Sequence, residues 1–179
     1  MQFFIGIVPP DEYKQLIVAF RNRWSSNGLR EVVEPHVTVK AQSGLTTDLS
    51  WLNKVKETCS LFPSFQLSLA EPSSYGTAVT FLSVESKDIY DLHKRLVEAV
   101  SPLPELVLFY ELDGFHPHLT LGQTLFGMET SEVEEMKEAA KHSLAPFPTF
   151  DVTYVRVYKE IEPNKYVPFE DIQLAGSRG

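Results

Sequence analysis

Two short stretches of this chain hold the residues best suited to chemistry: Pro35-His36-Val37-Thr38-Val39 and Pro117-His118-Leu119-Thr120-Leu121. Each sets a histidine and a threonine two positions apart among apolar neighbours. Successive side chains on a β-strand point to opposite faces, so His36 and Thr38 are expected to share one face, as are His118 and Thr120. Val37, Val39, Leu119 and Leu121 would then point into a core. An imidazole, with an unperturbed pKa near about 6.5, works as base or acid around neutrality. Two of them across a phosphodiester can do both jobs in one turnover. One takes a proton from an attacking water or hydroxyl and the other gives one to the leaving oxygen, each step worth about 10²–10⁴-fold. The two threonine hydroxyls can donate to the nonbridging oxygens and stabilise the charge that builds there. Such a site calls for no metal and no cofactor.

A single His-x-Thr on a strand is more often a structural histidine. The duplication marks a site, provided the fold brings the copies together, so the surrounding elements matter. Met1 to Val8 is an apolar run cut off by Pro9-Pro10; it lacks a basic leader and is expected to be a first strand and not a signal peptide. Pro9-Pro10-Asp11-Glu12 opens a helix with Tyr13, Leu16, Ile17, Phe20 and Trp24 on one face. Glu31 to Lys40 is predicted as the first motif strand, and Thr47-Asp48 as the cap of a helix carrying Leu52, Val55 and Cys59. Phe65 to Leu69 alternates as a half-buried strand, Glu71 to Gly76 turns the chain, and Ala78 to Glu85 is a partner strand. A helix follows with Ile89, Leu92, Leu96, Val97 and Val100 inside, then an apolar strand from Leu106 to Tyr110 and the second motif strand. Glu132 to Leu144 is a fourth helix, Phe150 to Tyr158 a strand, and Tyr166 to Leu174 a last strand that Pro168 marks as an edge or bulge.

In this order the succession helix, motif strand, helix, strand, strand occurs twice. His36 and His118 lie 82 residues apart, Leu52 and Met136 lie 84 apart, and Phe65 and Phe150 lie 85 apart. A nearly constant offset predicts an internal repeat over residues 1–179, two lobes with the motif strands facing each other across a cleft.

Other residues enter with two readings each. Lys40 follows the first motif where Gly122 follows the second, and either attracts a substrate phosphate or is an exposed strand-end lysine. Tyr75 and Tyr158 could line the cleft and stack on a base. Arg21, Arg23 and Arg30 with Trp24 have the composition of a nucleic-acid patch or of a solvated helix face over a core tryptophan. His116 and His118 are spaced like a metal pair but lack further ligands, and Pro117 between them favours a structural segment. His93 reads as a helix-surface or half-buried histidine, His142 as solvated, and Glu132, Glu134 and Glu135 as a solvated helix face.

A net charge of -8 over 179 residues argues against wrapping long nucleic acid, while leaving room for one nucleotide or one RNA end. The single Cys59 excludes an intrachain disulfide framework and a thiolate zinc site. No apolar run nears the roughly 20 residues of a membrane span, so a cytoplasmic location is the expectation.

The motifs His36-Val37-Thr38-Val39 and His118-Leu119-Thr120-Leu121, with the repeat over nearly the whole chain, resemble those of the 2H phosphoesterase superfamily. More narrowly, the chain is similar to its bacterial 2′-5′ RNA ligase/cyclic phosphodiesterase branch and to the small YjcG-like phosphoesterases. The resemblance implies an α+β fold of two lobes with antiparallel sheets lining a central cleft and helices outside. It also implies metal-independent hydrolysis of 2′,3′-cyclic phosphates or related nucleotide phosphodiesters. His36 and His118 would be the acid/base pair and Thr38 and Thr120 the phosphate ligands, with a small nucleotide or RNA end as substrate. The alternative is a module on the same fold that binds a nucleotide or RNA terminus without catalysis.

Overall fold

The computed structural model describes residues 1–107 and 110–176. Eight strands and four α-helices alternate along the described chain: β1 (Phe3–Ile7), α1 (Asp11–Arg21), β2 (Val37–Lys40), α2 (Leu52–Leu61), β3 (Phe65–Tyr75), β4 (Val79–Glu85), α3 (Asp88–Val100), β5 (His118–Gln123), α4 (Thr130–Ser143), β6 (Thr149–Val152), β7 (Tyr154–Glu162) and β8 (Lys165–Gln173). They form two four-stranded antiparallel sheets, ordered β2-β1-β7-β8 and β5-β4-β3-β6. This is the expected α+β architecture. Each sheet carries its motif strand at one edge, beside the strand that precedes it by one helix.

Strand β1 is buried along its whole length and serves two compartments. Phe3, Ile5 and Ile7 join the main core with Ile17 and Phe20 of α1, Val55 and Cys59 of α2, Leu92 and Leu96 of α3, and Val133 and Met136 of α4. Phe4 and Val8, on the other face, pack with Val33 and Tyr158 in a small separate cluster. Helix α2 lies against β8 and α3 against β2 of this sheet, α4 lies against the other sheet, and His36 stands with Phe4 and Tyr158 on the opposite face. Proline at the N-cap and Asp11 and Glu12 in the first turn start α1. A reciprocal pair of bonds between Glu129 and Glu132 caps α4.

Several boundaries differ from the sequence reading. The first motif strand is only Val37–Lys40; Gly28–Glu31 is a 3₁₀ turn capped by the Asn27 side chain. Pro35 has no N–H for a ladder, and the carbonyls of Val33 and Glu34 are taken by the side chains of Arg21 and His36. The stretch expected to turn at Glu71 stays in β3 to Tyr75, across an irregularity in register between Ala70 and Pro72. The run expected as one strand from Phe150 to Tyr158 breaks at Thr153: β6 pairs with β3, and β7 pairs with β1 in the other sheet. Helix α2 begins at Leu52, and Asp48 instead accepts from Thr46 and Ser50 in the preceding turn. Of the strand expected over Leu106 to Tyr110, Leu106 ends a 3₁₀ turn and residues 108 and 109 lie outside the described residues. Strand β8 is an edge, with an irregularity at Pro168 opposite Tyr158, as expected. No helix among the described residues is long and apolar enough to cross a membrane.

Candidate active site

Both motifs show the alternation expected of them. Val37, Val39, Leu119 and Leu121 are buried, while His36, Thr38, His118 and Thr120 are half-buried. The motif strands are neighbours, with Cα atoms of β2 and β5 approaching within 8 Å.

The imidazoles are held in the same way. Nδ1 of His36 lies 2.9 Å from the Glu34 carbonyl, and Nδ1 of His118 lies 2.8 Å from the His116 carbonyl. Pro35 and Pro117 lie between, and proline keeps the residue before it extended. A carbonyl oxygen only accepts, so Nδ1 carries the proton in both rings and leaves the Nε2 lone pair for chemistry. Nε2 of His36 lies 3.1 Å from Thr38 Oγ1, so these two polar groups do share one face.

Each ring also rests on an aromatic floor. His36 lies 4.9 Å from Phe4 and 5.4 Å from Tyr158, between ring centroids. His118 lies 5.0 Å from Phe81 and 5.3 Å from Tyr75. Gly6 lets the first ring sit close: a Cβ there would stand 3.3 Å from His36 Cδ2 and 3.1 Å from Tyr158 Cε2, so those rings would have to give by a few tenths of an ångström. A lone glycine inside an apolar strand is the sequence signal of such close approach.

Burial pushes the His36 pKa down to about 4; its bond to the Glu34 carbonyl opposes this, and the Arg21 and His118 charges add to the fall. His118 is also held below the ordinary imidazole value, first by burial, with its bond to the His116 carbonyl opposing and the His116 ring adding. Both rings are therefore neutral at rest near pH 7.

The remaining sequence candidates divide. Tyr75 is 43% exposed, with its hydroxyl 2.5 Å from His116 Nδ1 and 3.5 Å from His118 Nδ1, so it does border the second motif. Tyr158 touches His36 but has 0% exposure, stacks on Phe4, and donates to Glu34 Oε1 at 2.9 Å. It is a wall of the His36 pocket, closed to a stacked base. Lys40 is equally buried, and its Nζ is taken up by Ala41 O, Ser43 O, Ser43 Oγ and Glu111 at 2.7–3.3 Å. Neither of its sequence readings holds: with those partners, Lys40 has no free proton for a phosphate.

Glu34 escaped the sequence reading. Its carboxylate takes bonds from Arg156 at 2.7 Å, Tyr158 at 2.9 Å and Lys14 at 3.0 Å. Burial works against that charge, but the three donors outweigh it and hold the pKa below the usual carboxylate range. Arg21 is 2% exposed and bonded to the carbonyls of Val33 and Thr120, which removes it from any solvated face. His93, also 2% exposed, bonds the Val39 carbonyl through Nδ1 and accepts the Leu112 N–H through Nε2. Among the described residues, no three of His, Cys, Asp and Glu gather as a metal site. A cavity of about 510 Å³ lined by Ser64, Gln66, Asp151 and Gln173 lies away from both motifs.

The fold has solved counterparts. E. coli LigT complexed with phosphate is 17% identical, with 97% of each chain covered and a TM-score of 0.63. The complex of E. coli LigT with 3′-AMP gives 18%, with 97% of this chain and 98% of that chain covered, and 0.64. TT0787 of Thermus thermophilus gives 17%, with 98% and 99% covered, and 0.63. At these identities the likeness shows the fold. A search of curated proteins finds no match. The family model described as the 2′-5′ RNA ligase superfamily matches residues 9–164, a span holding both His-x-Thr motifs and all four helices, and the chain belongs to that superfamily of 2H phosphoesterases.

Proposed function

We propose that the chain is a metal-independent phosphoesterase that opens a 2′,3′-cyclic phosphate, or hydrolyses a related phosphodiester of a nucleotide or RNA end. His36 and His118 are the acid/base pair, and Thr38 and Thr120 hold the nonbridging oxygens. The observation that carries this is the matched presentation of two imidazoles by neighbouring strands, each with Nδ1 bonded to the carbonyl two residues back, which makes Nε2 the nitrogen for proton transfer, in His36 once substrate takes the place of the Thr38 hydroxyl against it. One neutral ring takes the proton of the attacking water as its oxygen bonds to phosphorus; the other, neutral at rest, takes up a proton from solvent beside the bound anionic phosphate and delivers it to the ribose oxygen as its bond to phosphorus breaks. Superfamily membership supports an enzyme. E. coli LigT, a relative in fold, is known in complex with 3′-AMP, a monophosphate of the kind such ring opening yields. The net charge of -8 supports a small nucleotide or a single RNA end over long nucleic acid.

The test is turnover of 2′,3′-cyclic mononucleotides and cyclic-phosphate-ended RNA by wild type, His36→Ala and His118→Ala. Each variant is expected to lose about 10²–10⁴-fold in kcat, and wild-type turnover is expected to survive a chelator. Wild-type-like turnover in either variant would sink the mechanism. Substrates that bind but stay intact on long incubation with wild type would establish the binding module instead.

A further inference from the structure

Arg21, the last residue of α1, is a buried cation without an anion. Its side chain is 2% exposed. Nη1 donates to the Val33 carbonyl at 3.3 Å, and Nη2 donates to the Thr120 carbonyl. Nε, also buried, has no partner among the described residues. Among those residues no carboxylate comes within ion-pairing distance of it, whereas Lys14 and Arg156 each reach Glu34. A guanidinium taken out of water normally brings a carboxylate with it, because two neutral carbonyls return only part of the lost hydration.

The location of this cation gives the unpaired charge a use. Val33 lies three residues before His36, and Thr120 is the threonine of the second motif, so one guanidinium joins the approach to one motif to the strand of the other. Its charge is felt by His36, neutral at rest, and by the Tyr158 hydroxyl, which donates to Glu34, a carboxylate already met by Lys14 and Arg156. Burial lowers the Arg21 pKa to about 9, which leaves it cationic at neutral pH, and its charge is felt at His36, whose protonation it opposes. A phosphoryl group arriving between two neutral imidazoles would bring the negative charge this cation lacks. The interaction would be strong because both lie in a poorly hydrated region.

We infer that Arg21 is the fixed counter-charge for the substrate phosphate, a positioning residue that faces the anion from the buried side while it ties the approach to the first motif to the strand of the second. The inference rests on the phosphoesterase reading of the two motifs and adds to it a residue outside both.

The test combines calorimetry with inorganic phosphate in wild type, Arg21→Met, Arg21→Lys and His36→Ala with an NMR titration of His36 in wild type and the two Arg21 variants. Arg21→Met keeps the length and removes the charge; it should weaken phosphate binding tenfold or more and raise the pKa of His36. Arg21→Lys should retain most of the phosphate affinity and the low His36 pKa. With cyclic nucleotide, Arg21→Met should raise KM at least as much as it lowers kcat. Phosphate affinity unchanged in Arg21→Met but lost in His36→Ala would overturn the inference and leave the site reading intact. Equal impairment of the Met and Lys variants would reduce Arg21 to a clamp between strands and overturn it as well. Absence of phosphate binding in wild type would overturn the underlying reading and this inference with it. Should Arg21→Met fail to fold, the Arg21 guanidinium resonances of wild type must shift on saturation with phosphate, and their constancy would overturn the inference.

Discussion

His36 is a histidine that folding makes hard to protonate. Its value of about 4 in the folded state compares with about 6.5 for an unhindered imidazole. Between those values the unfolded chain binds more protons than the folded one, so stability rises with pH across that window. The contribution is fully present above about pH 6.5 and is lost as pH falls toward 4, an effect of up to about 3 kcal/mol. His118 and His93 are also held low by burial and act in the same direction. Denaturant melts between pH 7.5 and pH 4.5 should therefore show a fall in stability that is shallower in His36→Gln. An equal fall in that variant would mean that His36 is not its source. Gly6 belongs to the same scale, because a Cβ on β1 there would crowd the His36 ring at 3.3 Å.

The elements next to the motifs owe their placement to polar groups buried under them. Lys40 at the end of β2 and Glu111 in the approach to β5 form an ion pair with 0% and 1% side-chain exposure, shared with the Ser43 hydroxyl at 2.8–2.9 Å from the carboxylate. His93 of α3 ties Val39 to Leu112 just beside it. The pair thus pins the segment leading to His116 and His118 against the first motif strand. Removing one partner leaves the other charge buried, so Lys40→Met should cost about 3–5 kcal/mol. Lys40→Met combined with Glu111→Leu should recover part of that loss. Thermal or denaturant melts of the single and double variants would check both statements, and a single variant as stable as wild type would contradict the first.

Across the whole molecule, the chain leading from α1 comes against the loop after β5 with backbone nearly touching backbone. A Cβ on Gly28 would stand 2.7 Å from the Phe126 carbonyl oxygen, and one on Gly127 would stand 2.8 Å from the Ser26 carbonyl oxygen. Asn27, between those contacts, donates to the Leu121 carbonyl at 3.0 Å and so occupies the edge of β5. Because backbone cannot withdraw as a flexible side chain can, Gly28→Ala should cost about 1–3 kcal/mol. It should also lower turnover by spreading the motif strands. A variant with wild-type melting and turnover would show that this approach has slack. We read the matching orders of the two sheets as an internal repeat in which β7 is the counterpart of β3. Each lies beside the strand that precedes its motif, whereas β6 pairs with β3 in one sheet.

The sequence by itself determined the motif strands and the sharing of faces by His36 with Thr38 and His118 with Thr120. Alternation is a property of neighbouring residues on an extended backbone and needs no distant partner. It determined the helices too, since their apolar spacing is equally local. Only the tertiary structure decided which polar residues the site keeps and which the fold consumes. Lys40 meets Glu111 across 71 residues, Tyr158 meets Glu34 across 124, and Arg21 meets Thr120 across 99. No local pattern encodes such meetings, so a lysine placed to suggest a phosphate ligand became part of an ion pair. An arginine read as part of a helix face or basic patch became a buried charge, without a carboxylate partner among the described residues, between the approach to the first motif and the strand of the second, for the same reason: burial and partnership are settled only when the chain closes.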